Sequence, residues 1–88
     1  MEALVGQLKQ LKYLDVMNLG LTSLPESITR LKNIDTLNLS LNYLNISTEL
    51  GKLTALKKLR YLDIRNNKID TTDLKEWMSD KPELTVIY

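Results

Sequence analysis

The 88-residue sequence has no cysteine, no histidine and no phenylalanine, and only three glycines and two prolines. Without cysteine no disulfide can staple the chain and no thiolate can attack a substrate or hold a metal. Without histidine it lacks the most frequent general base and metal ligand. Three glycines are too few for a nucleotide cradle, and no G-x-S-x-G, S-x-x-K or phosphate-loop pattern occurs. Excess charge of one sign is missing as well. Twelve basic and eleven acidic residues leave a net +1, which gives no positive field for a nucleic-acid backbone. No apolar run is long enough for a membrane span, and MEALVGQLKQ, with Glu2 and a broken apolar run, does not read as a signal peptide. These absences predict a soluble, cytoplasmic, non-enzymatic protein with no cofactor, no metal, no nucleic-acid partner and no membrane span. The sequons Asn38-Leu39-Ser40 and Asn45-Ile46-Ser47 are the features that point instead to secretion.

What the sequence does have is leucine at regular intervals. A chain of this length forms one domain, burying roughly 60–65% of its unfolded surface, so its stability margin is thin. Units begin at Leu11, Ile34 and Leu59. In phase with them, the fourth position is Leu14, Leu37, Leu62, and the sixth is Val16, Leu39, Ile64. The ninth is Leu19, Asn42, Asn67, and the eleventh is Leu21, Leu44, Ile69. With the return segment LTSLPESITRL, this L-x-x-L-x-L-x-x-N-x-L pattern resembles the leucine-rich repeat family. Two departures stand out: Leu19 occupies the asparagine position, and the second unit is two residues longer than the first.

The resemblance implies an α/β solenoid, a short right-handed arc. Its concave face is a parallel sheet of about four short strands, its convex returns are helical or 3-10, and a C-terminal helix caps it. A single domain over 1–88 divides into a partial repeat (1–10), repeats at 11–33, 34–58 and 59–83, and a terminal strand (84–88). Leu37 and Leu39 then point into the core, while Asn42, and Asn67 one turn along, satisfy loop backbone that would otherwise be buried unpaired. In the second return Leu50, Leu53 and Leu56 recur every three residues, with Thr48 placed to cap and Glu49 in the first turn. Pro25 presets the start of the first return. In the last, Asp73 and Glu76 have capping-box spacing, Leu74, Trp77 and Met78 share a helical face, and Pro82 ends the run. Trp77 on that face reads as core. Leu84 and Ile87 fall 25 residues after Leu59 and Leu62, which aligns LTVIY as a fourth strand. Met1, Val5 and Leu8 align with Leu24, Ile28 and Leu31, so the strand after residue 12 is expected to have an open edge that a second copy or upstream repeats would cover.

Residues between the core leucines project from the concave sheet in columns. The third position reads Tyr13, Thr36, Tyr61, Val86; the fifth reads Asp15, Asn38, Asp63, Tyr88; the seventh reads Met17, Ser40, Arg65. The second, Lys12, Asp35, Arg60, alternates sign as a weak cross-strand charge ladder would. Asp63, Asp70 and Asp73 are close in sequence, but a strand, a turn and a helix start separate them, so they read as capping and solvation. Tyrosine and arginine are the types enriched at interface hot spots. The expected function is recognition of a protein partner of unstated identity through Tyr13, Asp15, Met17, Thr36, Asn38, Ser40, Tyr61, Asp63, Arg65 and Tyr88. The alternative is a structural or self-associating fragment, the C-terminal end of a larger receptor or scaffold, with a homodimer through the open N-terminal edge.

Overall fold

The computed structural model describes residues 9–88. The alignment of Met1, Val5 and Leu8 with later returns lies outside the described residues. Four three-residue strands, β1 (Tyr13–Asp15), β2 (Thr36–Asn38), β3 (Tyr61–Asp63) and β4 (Thr85–Ile87), pair in parallel in sequence order. Between them the chain returns through a 3-10 helix (Glu26–Arg30), helix α1 (Ile46–Thr54) and helix α2 (Thr71–Met78). No helix among the described residues is long and apolar enough to cross a membrane.

The leucine columns make the sheet. Leu14 pairs with Leu37 and Leu37 with Leu62, so the same inward position stacks from strand to strand. Leu37, Leu39, Leu62 and Ile64 are almost wholly buried from the sheet side, and Leu24, Ile28, Leu31, Ile46, Leu53 and Leu74 meet them from the returns. Each such side chain contributes about 1.5–3 kcal/mol relative to leaving it in water. The expectation for Trp77 holds in part: it packs beside Met78 against this core, yet it remains half-exposed.

The last strand corrects the expected register. Leu62 pairs with Val86, not with Ile87, and Tyr61 with Thr85. The reason lies at Leu84. Its N–H donates to the Lys81 carbonyl, as Ile34 N–H does to Leu31 and Leu59 N–H to Leu56. In earlier repeats the next two amides share one carbonyl: Asp35 and Thr36 both donate to Lys12, and Arg60 and Tyr61 both donate to Asp35. In the last repeat one residue is missing there, and Thr85 takes the bond to Arg60 directly. Val86 therefore turns inward and Ile87 outward.

The helix starts also differ from expectation. Asn45, not Thr48, is the N-cap residue of α1, and Thr48 Oγ1 donates back to the Asn45 carbonyl. Asp70, not Asp73, caps α2, accepting from the N–H groups of Thr72 and Asp73. Asp73 instead accepts from Ser47 Oγ at 2.8 Å, tying α2 to α1. In both cases the helix begins one turn or less ahead of the polar residue chosen, because the returning chain bends as soon as it leaves the core leucine.

Candidate protein-recognition face

The concave columns lie on the strands and run on into the turn after each one. That turn carries the backbone into the left-handed region at Asn18, Leu41 and Asn66, each at the eighth position of its repeat, with φ of 57°, 57° and 59°. The fifth-position side chain closes the turn. Asp15 Oδ1 accepts from Met17 N–H at 2.9 Å, Asn38 Oδ1 from Ser40 N–H at 3.0 Å, and Asp63 Oδ1 from Arg65 N–H at 3.1 Å. An oxygen two residues ahead of a free N–H is the Asx-turn geometry, and it explains the recurrence of Asp and Asn in this column. Among the expected site residues, Asp15, Asn38 and Asp63 thus also perform local structural work.

Asp63 does more. Arg65 Nε donates to its Oδ1 at 3.1 Å and Nη2 to its Oδ2 at 2.8 Å, a bidentate pair. The guanidinium hydrogen bonds lower the Asp63 pKa against the opposing pull of burial, and the carboxylate raises that of Arg65. Arg65 is held in place rather than free to search for a partner. Ser40 is buried, its Oγ donating to Asn38 Oδ1 at 2.7 Å. The second-position residues Lys12, Asp35 and Arg60 form no ion pairs among themselves, so the expected ladder is absent.

What the face exposes is mainly its aromatic rings. Tyr13 and Tyr61 are 57% and 54% exposed and flank Thr36 on adjacent strands. Met17 is exposed beside Asn38, whose Nδ2 reaches its sulfur at 4.0 Å. Two positions need correction. Tyr88 does not stand in the fifth column, nor Val86 in the third: the shortened last repeat puts Ile87 and Thr85 there. Tyr88, still half-exposed, follows the strand at the sixth position. Among the described residues no cluster of acidic side chains is arranged to hold a metal.

Three further exposed residues were not anticipated from sequence. Leu19, Leu41 and Tyr43 sit in the turns beyond β1 and β2. Their neighbourhood is set by Leu19 N–H donating to Asn42 Oδ1 and Tyr43 N–H donating to the Leu21 carbonyl. The available signal was the eighth-position column itself, where asparagine on either side of Leu41 marks left-handed backbone and so an outward side chain.

The Leucine Rich Repeat family matches the chain at residues 58–79. Over 96% of its length the chain is similar to a structure of a Leptospira interrogans LRR protein, with a TM-score of 0.80 and 28% sequence identity. The chain thus shares its fold with a leucine-rich repeat protein and carries a leucine-rich repeat match at residues 58–79. It spans 21% of the length of that structure's chain. No curated protein matches the sequence. The leucine-rich repeat assignment accounts for the parallel register, the asparagine at the ninth position and the helical backs together, and domains of this kind are in general protein-interaction modules.

Proposed function

We propose that the domain recognises a protein partner through the concave sheet, with Tyr13 and Tyr61 as its anchors. The observation that carries this is the exposure of both rings across Thr36, about two strand spacings apart, each amphipathic and each free of an internal hydrogen bond among the described residues. Thr36, Thr85 and Ile87 extend the surface, while the Asp15, Asn38 and Asp63 turns hold its loops and Arg65 supplies a positioned charge. Four strands of three residues give a face of only a few hundred Å², against about 800 Å² per partner for a standard interface. Binding by this face alone is therefore weak, and the exposed Met17, Leu19 and Tyr43 beyond it would enlarge the contact. The test is affinity capture from a native cell extract with the wild-type domain and with Tyr13→Ala/Tyr61→Ala. Loss of specifically retained proteins with an unchanged circular dichroism spectrum supports the reading. Retention of the same proteins by both overturns it.

A second reading, self-association, is favoured by the sheet ends: among the described residues neither the outer edge of β1 nor that of β4 has a strand partner. Light scattering across concentration separates the two readings. A mass that does not rise with concentration removes the second.

A further inference from the structure

Basic residues that are scattered along the chain are gathered in the fold. Lys12, Lys57, Lys58 and Arg60 line a cleft of about 470 Å³ where the convex returns hand over to the strands. Backbone bonds set their spacing: Asp35 N–H donates to the Lys12 carbonyl and Arg60 N–H to the Asp35 carbonyl, both at 2.8 Å. Lys58 Nζ donates to Asn33 Oδ1 at 2.9 Å, and Asn33 Nδ2 donates to the Lys9 carbonyl at 2.9 Å. Only Asp35 and Glu83 oppose these cations within the cleft. None of the four is in an ion pair among the described residues, though Lys57 lies near enough to Asp80 to help lower the pKa of its carboxyl. A molecule with a net charge of +1 thus concentrates unpaired positive charge on one edge.

A second cleft, of about 370 Å³, adjoins the first and shares Lys57, Leu59 and Glu83 with it. Leu53, Leu56, Leu59, Leu84 and Trp77 give it an apolar part, and Asp80 and Lys81, paired with each other at 2.9 Å, also line it. The indole is already fixed. Its Nε1 donates to Thr54 Oγ1 at 2.9 Å, and Lys81 Nζ lies 4.6 Å from the ring centroid while donating to the Trp77 carbonyl. A preformed apolar part with fixed walls admits a side chain at little ordering cost.

We propose that the two clefts form one docking surface for an acidic peptide segment carrying an apolar anchor residue. The carboxylates lie along Lys12, Arg60, Lys58 and Lys57, and the anchor enters against Leu56 and Trp77. The charge complements such a segment, and the adjoining apolar cleft gives it register. A phosphate backbone would meet Asp35 and Glu83 at its own fixed spacing and leave the apolar cleft empty. The surface shares none of the residues proposed above for protein recognition by the sheet, so it stands or falls separately from that reading.

The experiment titrates the whole domain with a short synthetic peptide of glutamates and one central leucine, following peptide anisotropy and the emission of Trp77, the sole tryptophan of the chain. Saturable binding at about 20 mM salt is expected to weaken about tenfold by about 200 mM, because exposed charges are screened over a Debye length. Lys57→Glu/Lys58→Glu is expected to weaken it about tenfold and Arg60→Gln about threefold, with unchanged circular dichroism spectra, while Tyr61→Ala leaves it unaltered. Replacing the leucine by serine should abolish the Trp77 emission change. The proposal is overturned by no binding at low salt, by an isotherm that neither charge variant moves, by an equal emission change from the serine peptide, or by tighter binding of an oligothymidylate of equal charge.

Discussion

Asn42 Oδ1 accepts the backbone N–H of Leu19 at 3.1 Å, and Leu19 holds in its own repeat the position that Asn42 holds in the next. The same oxygen takes Leu21 N–H at 3.0 Å, and Nδ2 donates to the carbonyls of Val16, Leu39 and Ser40. Asn67 repeats the arrangement, accepting from Leu44 N–H and donating to the Leu39, Ile64 and Arg65 carbonyls. Each asparagine closes the turn before its own as well as its own. The first repeat tolerates leucine at this position because its turn is closed from the second.

Asn42→Ala should therefore destabilise by about 1–3 kcal/mol, since several buried backbone groups lose their partner. Asn38→Ala should do less, because Asn38 bonds only the neighbouring Ser40 and the Met17 sulfur. Urea unfolding midpoints decide the order. Equal midpoints would remove the asparagine ladder as a main support.

Leu41→Asn should stabilise by about 0.5–1 kcal/mol. Leu41 is 46% exposed at φ 57°, a conformation that asparagine tolerates and leucine does not favour. A lower midpoint in the variant would mean that the leucine side chain supports its neighbours more than its backbone strains them.

Glu49 is 3% exposed on α1, and its Oε1 accepts Leu24 N–H at 2.7 Å while Lys52 Nζ donates to the Leu24 carbonyl at 2.6 Å. The two side chains clamp both backbone groups of a buried residue in the preceding repeat, just ahead of Pro25. Glu49→Ala leaves a buried amide unpaired and should destabilise by about 1–3 kcal/mol, with Glu49→Gln recovering part of it. Equal stability of Glu49→Ala and wild type would show that the clamp is idle.

The Asp63 pKa is lowered in the fold by the Arg65 guanidinium. A depressed carboxylate contributes stability that is present above its unfolded pKa and is lost as pH falls through the folded one. Arg65→Met should thus be less stable than wild type at neutral pH, and the gap should close below about pH 4. Because Arg65 is largely exposed, the gap is small and shrinks with salt. A gap that is constant across this range would assign the effect to packing.

Much of this architecture is legible in the leucine and asparagine columns, because their side chains bury in one direction only and the strand period fixes which. The alternation sets Tyr13, Thr36, Tyr61 and Arg65 opposite the core leucines, and the resemblance to leucine-rich repeats implies that this side is concave. The fourth strand is not legible in this way, because aligning Ile87 beneath Leu62 matches residue type, whereas the Leu84 turn is set by a backbone bond that residue type does not encode. In the sequence Glu49 is simply a first-turn acid, since nothing in a charged residue announces that it will find a buried amide. Leu41 concealed its backbone conformation for a related reason: leucine is not a residue from which a left-handed angle is inferred.

The repeats differ in length without disturbing the sheet. Twenty-three residues separate Tyr13 from its partner Thr36, and 25 separate Thr36 from its partner Tyr61. The two extra residues are spent on the back of the molecule, where a five-residue 3-10 helix in one return corresponds to the nine-residue α1 in the next. Gly51, within α1, has open space around it even for an added side chain. The return thus behaves as an expansion joint: an insertion there leaves the spacing of the concave tyrosines untouched, so the exposed face and its backing are free to diverge independently.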